Sequence, residues 1–340
     1  MTDSTAAAQP TPPPFAQAVD ILLGYWRSRA LTIAAELELA DHLAHGALHV
    51  DDLSTRTNTR SQNIFRLMRA LEGIGVFKQV SPRVFANTPL SEVLRKDIPG
   101  SLWAGARNSL SVGSGEFEAW TGLLGSVQTG KIAFDQIYGY NFWEYLKRNP
   151  ERAELFNETM RSVQAAMTPT VTAAYDWSRF PVIADIGGGI GTQLVDILKS
   201  HPTCRGILFD LPDGLKGAIR HDRVECVSGT FFERVPSGAD AYILRSVLHD
   251  WADPEATAIL KTVRAATKAD SRVILIEHVI EETPENAYSK WLDLHMMVVL
   301  GGQERTGTEF RQLLGKADFE LERIVPTASG MCLIIGRPCA

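Results

Sequence analysis

The run Val182-Ile183-Ala184-Asp185-Ile186-Gly187-Gly188-Gly189-Ile190-Gly191-Thr192 holds the first residues of this 340-residue chain whose types and spacing could do chemistry. An apolar strand that ends in glycines and opens a helix brings backbone N–H groups close to a ligand, because no side chain stands between them. A dinucleotide fingerprint wants glycine at its first, third and sixth positions, and counting from Gly187 the sixth is Thr192. A nicotinamide cofactor is therefore one reading, weakened at that position. Asp210 ends the next apolar run, Ile207-Leu208-Phe209-Asp210, 23 positions after Gly187, where a carboxylate can accept both hydroxyls of a ribose. The competing role for Asp210 is to organise the turn Leu211-Pro212-Asp213-Gly214, and the spacing favours the ligand. Three later strand ends carry Gly229-Thr230-Phe231-Phe232, Arg245 through His249-Asp250-Trp251, and Glu277-His278. In open α/β sheets the ligand crevice lies outside the carboxyl ends of the strands, and these polar residues all fall there. Taken alone, His249 reads as packed beneath a helix that Asp253 caps and Pro254 enters.

Strands must bring these residues together. Val182 to Ile186, Gly206 to Phe209, Val224 to Val227, Ala241 to Leu244 and Val273 to Ile276 are short apolar runs without strict alternation, which predicts strands buried on both faces of a parallel sheet. Helical spacing at Gln193 to Ser200, Leu215 to Arg220 and Pro254 to Thr267 makes residues 176–340 a doubly wound, Rossmann-like α/β domain. A helix at Thr308 to Lys316 and the pair Phe319 to Val325 and Met331 to Gly336 add an antiparallel C-terminal hairpin. Before Asp176 the texture is mainly helical. Val19, Leu22, Leu23, Trp26, Ile33, Ala34 and Leu37 recur at helical spacing over Phe15 to Leu43, a face broad enough to suggest a partner. Val50 to Thr57, a helix capped by Ser61 that runs to Leu71, and extended pieces Val76 to Val80 and Arg83 to Ala86 joined at Ser81-Pro82 form a winged-helix pattern within residues 15–100. Residues 101–175 read as an aromatic-rich helical linker that lines a substrate pocket. Residues 1–14, rich in Ala, Pro and Thr, read as a disordered tail.

Composition excludes several functions. The chain carries 34 basic and 40 acidic side chains for a formal charge of -6, and its winged helix offers only Arg60, Arg66 and Arg69 against Glu72. That is too little positive charge to grip a duplex, so no nucleic-acid partner is expected and the segment reads as a dimerisation element rather than part of a regulator. Apolar segments such as Met296 to Leu300 are far too short to span a membrane. The first residues lack the charged and apolar blocks of a secretory signal, which points to the cytoplasm. Cys204, Cys226, Cys332 and Cys339 are too widely spaced for a paired metal motif or a disulfide framework.

The glycine turn 187–191, Asp210, Gly229 to Phe232, Leu244-Arg-Ser-Val-Leu-His249-Asp250-Trp251, Glu277 and Gly301-Gly302-Gln303-Glu304-Arg305-Thr306 occur in an order that resembles one enzyme family. The chain is similar, from about residue 15 to 337, to class I S-adenosylmethionine-dependent O-methyltransferases, such as plant caffeate methyltransferases and bacterial enzymes that tailor aromatic natural products. The resemblance implies S-adenosyl-L-methionine as methyl donor, with Gly187, Gly188 and Gly189 against its methionine and ribose portions and Asp210 on the ribose hydroxyls. It implies that Arg245 contacts the donor and that His249 is the general base, flanked by Glu277 and Glu304. Where the family usually has an adenine-binding aspartate this chain has Thr230, whose hydroxyl can accept one hydrogen bond while Phe231 covers the purine. The winged-helix segment implies a homodimer. For a small aromatic, hydroxyl-bearing acceptor the position of Met160, Met296 and Met297 implies an apolar clamp, with Trp143, Phe156 and Asp293 beside it and His295 in a structural role. Related scaffolds methylate nitrogen or hydroxylate with the donor bound, and these are the alternatives.

The chemistry is consistent with those residue types. A sulfonium carries an already activated methyl group, so what remains is to align an acceptor oxygen and remove its proton, and no metal is required. A phenol of pKa about 10 is protonated at neutral pH, whereas an imidazole of pKa about 6.5 can take its proton during transfer. Carboxylates beside the ring stabilise the imidazolium and fix which nitrogen faces the acceptor.

Overall fold

Residues 12–281, 283 and 287–339 are described by the computed structural model. The chain divides into two compact units after Ser114. The first begins with helices Pro14–Leu22, Gly24–Glu36 and Leu39–His42 and a short strand β1 (Leu48–His49). Of the tail expected over residues 1–14, residues 1–11 lie outside the described residues, and the helix starts at Pro14, whose fixed φ suits a first helical turn. Helices Val50–Arg56 and Ser61–Glu72 follow, then β2 (Phe77–Ser81) and β3 (Val84–Asn87), which pair in the order β1-β3-β2 as the wing. Ser61 is the first helical residue and not the cap: Arg60 takes that place, and the Ser61 hydroxyl bonds Asp51 and accepts from Arg83 instead. Leu39, Val50, Leu53, Ile64, Met68, Leu71, Phe77 and Phe85 close the core of this unit. The broad apolar face read over Phe15 to Leu43 is only partly covered within the chain. Ala34 is buried, but Phe15 and Trp26 are 82% and 68% exposed, and Ile21, Leu22 and Tyr25 are exposed with them.

Helices Glu116–Thr121, Leu123–Thr129, Ala133–Tyr138, Phe142–Arg148 and Pro150–Ala173 fall in the second unit together with the sheet. The sheet strands are β4 (Val182–Ile186), β5 (Arg205–Asp210), β6 (Val224–Ser228), β7 (Ala241–Arg245), β8 (Arg272–Ile280), β9 (Arg305–Thr306), β10 (Phe319–Pro326) and β11 (Met331–Pro338). Their order is β10-β11-β8-β7-β4-β5-β6, with β9 paired to the end of β8. The five from β8 to β6 are parallel, while β10 and β11 form the expected antiparallel hairpin against β8. Successive side chains alternate faces. Ala184, Tyr242, Leu244, Val273 and Leu275 pack on Ile259, Leu260, Val263, Phe310 and Leu313 of helices Asp253–Ala266 and Gly307–Gly315. Ile183, Ile243, Ile274 and Ile276 pack on Val171, Trp177, Leu194, Ile197 and Leu198 from the other side. Burial of each Val, Leu, Ile or Phe side chain among these stabilises by about 1.5–3 kcal/mol. This is the doubly wound α/β fold, and β6 is its exception: at the sheet edge its Glu225, Cys226 and Ser228 are exposed rather than buried on both faces.

Two further local expectations fail. Leu215 to Arg220 is a series of turns and no helix, because Gly217 adopts φ +80°. Asp253 is inside its helix and Ala252 holds the cap position, which frees the Asp253 carboxylate for other partners. The sheet winds outward both ways from β4, so the ends of β4, β5 and β7 meet at the switch point where such sheets bind ligands.

Candidate active site

At that switch point the chain leaves β4 through Gly187 and Gly189, at φ +71° and +57°, and enters helix Thr192–Ser200 with Gly191 at its cap. The Gly187 N–H donates to Phe209 O at 2.8 Å, which ties the turn to β5. A methyl group on Gly188 would stand 2.5 Å from the Asp185 carboxyl carbon and 2.6 Å from Leu208, so no other residue fits there. Asp210 bridges the turn: Oδ2 accepts the Gly189 N–H at 2.7 Å and Oδ1 the Leu211 N–H at 2.6 Å. It therefore does organise the following turn, as its competing role required. Each carboxylate oxygen keeps a further lone pair for a diol, and burial raises the pKa of this acid.

The remaining strand ends close around this cradle. Phe231 lies beside Gly187 and meets Phe232 and Trp251 edge-on, at centroid distances of 5.0 and 6.2 Å. The Thr230 hydroxyl accepts the Phe232 N–H at 3.3 Å and so stabilises its own turn. Arg245 is buried and directs its guanidinium toward helix Pro150–Ala173: Nη1 donates to Thr168 Oγ1 at 2.6 Å and to Gln193 Oε1 at 3.0 Å. Asp185, which the sequence did not single out, is 1% exposed with both carboxylate oxygens unpartnered among the described residues. Burial pushes its pKa up to about 7 against the pull of Arg245.

Past β7 the backbone bends at Ser246, whose φ of +51° is unusual outside glycine. A single 3₁₀ turn, Leu248–Asp250, then presents His249. Its Nδ1 lies 2.7 Å from Glu304 Oε1 and 3.9 Å from Glu277 Oε2, and its Nε2 lies 3.4 Å from Asp250 Oδ1. Glu277 is fully buried at the end of β8 and anchors the turn, with Oε1 accepting the N–H groups of Val247 and Leu248 at 3.1 and 2.9 Å. Glu304 stands before helix Gly307–Gly315, whose capping box is formed by Thr306 and Glu309, and Asp293 Oδ1 accepts the Glu304 N–H at 3.0 Å. Burial disfavours charge on the His249 ring, but Glu277, Asp250 and Glu304 outweigh it and push the ring pKa up to about 10. The buried acids shift upward as well, Glu277 and Asp250 both chiefly through desolvation. His278 and His295 also feel the His249 charge, and burial keeps both of them neutral-leaning.

The expected acceptor residues separate into groups. Trp143, Phe156 and Met297 belong to an aromatic cluster around Phe134, Phe142 and Tyr145. Met296 is buried, whereas Met160 is 37% exposed on the helix Pro150–Ala173. Asp293 reaches the base cluster through Glu304. His295 has a defined tautomer, because Trp120 Nε1–H donates to its Nδ1 at 3.0 Å. Of the functional residues beyond the sequence expectations, Asp250 had the clearest signal, since it adjoins the histidine.

Known families match this chain along most of its length. A family model for an O-methyltransferase domain matches residues 120–320, and one for an O-methyltransferase dimerisation domain matches residues 19–97. The chain is 38% identical to the phenazine O-methyltransferase PhzM of Lysobacter antibioticus, over 94% of this chain and 95% of that one. It is 36% identical to the mitomycin biosynthesis 6-O-methyltransferase of Streptomyces lavendulae, over 93% and 92%. The SAH-bound crystal structure of CalO1, a methyltransferase in calicheamicin biosynthesis, superposes with a TM-score of 0.86 at 29% identity, covering 97% of this chain and 100% of that one. No helix among the described residues is long and apolar enough to cross a membrane. The nicotinamide and regulator readings fall with these matches, and the glycine cradle with its diol-ready carboxylate suits an adenosyl donor. The chain belongs to the class I O-methyltransferases that use S-adenosyl-L-methionine.

Proposed function

We propose that the enzyme methylates a hydroxyl group on a small, planar aromatic acceptor, with His249 taking the acceptor's proton. The reading rests above all on the 2.7 Å contact between His249 Nδ1 and Glu304 inside a buried acid cluster. The contact orients Nδ1–H toward Glu304, so a proton taken from the acceptor goes to Nε2, which lies 3.4 Å from Asp250 Oδ1. S-adenosyl-L-methionine, when bound, supplies a methyl group activated on cationic sulfur. Gly187, Gly188 and Gly189 line its cradle, Asp210 holds the ribose hydroxyls, and Thr230 and Phe231 take the adenine edge and face. Arg245 supports the cradle from beneath, through Gln193 in the first turn of helix Thr192–Ser200. Glu277 and Glu304 stabilise the imidazolium that forms on His249, and general-base help of this kind is worth about 10²- to 10⁴-fold.

Trp143, Phe156, Met160, Asp293, Met296 and Met297 shape the acceptor pocket in this reading, and the phenazine relative favours a fused aromatic ring. The exposed Phe15, Ile21, Leu22, Tyr25 and Trp26 pack against a second copy to form a homodimer, in line with the dimerisation-domain match. Four free, widely spaced cysteines favour a reducing compartment such as the cytoplasm. Incubation of the enzyme with labelled donor and matched hydroxy- and amino-phenazines tests the reading. Label on the hydroxyl oxygen is expected; label on nitrogen alone, or ring hydroxylation without transfer, overturns it.

A further inference from the structure

We propose that Arg305 is a positioning residue for His249, a buried cation that locks the histidine's turn against the segment carrying Glu304. The inference rests on the reading of His249 as the base. Arg305 is 1% exposed, yet its ion-pair carboxylate, Asp253, is 41% exposed and also pairs with Lys316. The guanidinium divides between carboxylate and backbone: Nε and Nη2 donate to Asp253 Oδ1 at 3.2 and 3.1 Å, while Nη1 donates to Leu248 O at 3.0 Å and Nη2 to Trp251 O at 3.0 Å, so the fork grips the turn on both sides of His249. The residues before it complete the grip. Gln303 N–H donates to His249 O at 2.9 Å, and Gln303 Nε2 donates to Asp253 Oδ1 at 2.9 Å. A methyl group on Gly302 would lie 1.9 Å from His249 O, so only glycine lets the two segments come this close.

The consequence is a single rigid unit in which residues 302–305 supply both the acid on Nδ1 and the donors that fix the turn. Lysine cannot reproduce it, because one ammonium cannot span two carbonyls with a planar fork. A displacement of about 1 Å in a catalytic group costs on the order of 10²-fold in rate.

The test follows the His249 ring itself by histidine-selective NMR on the full-length chain, with the resonance assigned by His249→Gln. Arg305→Lys and Asp253→Asn are compared with wild type for ring titration, S-adenosylhomocysteine affinity by calorimetry, and single-turnover rate on a hydroxyphenazine. In Arg305→Lys the ring's midpoint is expected to fall toward the ordinary value of about 6.5 and the plateau rate at high pH to drop about 10- to 100-fold, with ligand affinity within about twofold. Asp253→Asn, at a half-exposed site, shows the same changes more weakly and carries the test if Arg305→Lys does not fold. Ring titration and rate unchanged in the folded variants overturn the positioning role, whatever happens to melting temperature. If His249→Gln itself keeps wild-type turnover, the base reading has failed; if it loses turnover while Arg305→Lys and Asp253→Asn leave the ring unmoved, only the present inference has failed.

Discussion

The glycine turn at the end of β4 and the acid–histidine cluster beyond β7 follow neighbouring parallel strands, but they are built on opposite principles. The cradle is backbone and empty space: three glycines, two N–H groups on Asp210, and a Gly188 whose missing side chain is what lets Asp185 and Leu208 close in. The base cluster is charge held by charge, with one imidazole among Asp250, Glu277 and Glu304 and a buried guanidinium bracing the turn. A surface that receives a ligand needs room and fixed dipoles, whereas a group that must change protonation needs counter-charges that do not move. Substitutions on the two sides should therefore fail differently, binding on one and rate on the other.

The largest effect is expected from His249→Ala, a loss of about 10²- to 10⁴-fold in turnover with S-adenosylhomocysteine affinity unchanged by calorimetry; weakened ligand binding of comparable size would erase the distinction. Asp210→Ala reverses the pattern. Loss of hydrogen bonds to a charged acceptor, at about 1.5–3 kcal/mol each, raises the donor Kd by one to two orders of magnitude, while the rate at saturating donor stays close to wild type in a stopped assay. Gly188→Ala forces a side chain into filled space and should lower unfolding stability by about 1–3 kcal/mol, readable in urea titration, with donor affinity falling alongside. The smallest and sharpest change concerns pH. A base works only when deprotonated, and the surrounding acids raise the ring's proton affinity above that of an ordinary imidazole, so kcat/KM of wild type climbs with pH above neutrality. Glu304→Gln removes one of the groups that raise it, so the rising limb of the profile shifts to lower pH even as the plateau drops; a limb that stays in place shows that Glu304 does not set the ring's proton affinity.

The same contrast explains what could be read from the sequence. The cradle is contiguous: strand, glycines and helix follow one another from Val182 to Ser200, and Asp210 sits one strand away, so local spacing was enough. The parallel strands other than β6 were legible for the same reason, as short apolar runs. The base cluster gathers residues from positions 249, 250, 277, 293 and 304, and only the family pattern linked His249 to its acids. The clamp was hidden altogether, because Arg305 binds carbonyls of residues 248 and 251, and backbone acceptors leave no mark in side-chain chemistry. Misreadings were local too: Gly217 broke an apparent helix, and Asp253, which looked like a cap, serves Arg305 and Lys316.

Proton acceptance by His249 is tested most directly by acceptor acidity. Single-turnover methyl transfer by His249→Gln can be measured at pH 8 on two hydroxyarenes of the same ring system, one with hydroxyl pKa of about 10 and one acidified by a ring substituent to about 7. The expected result is a clear rate loss on the first and near wild-type transfer to the second, which arrives already ionised. Equal losses on both acceptors would contradict it.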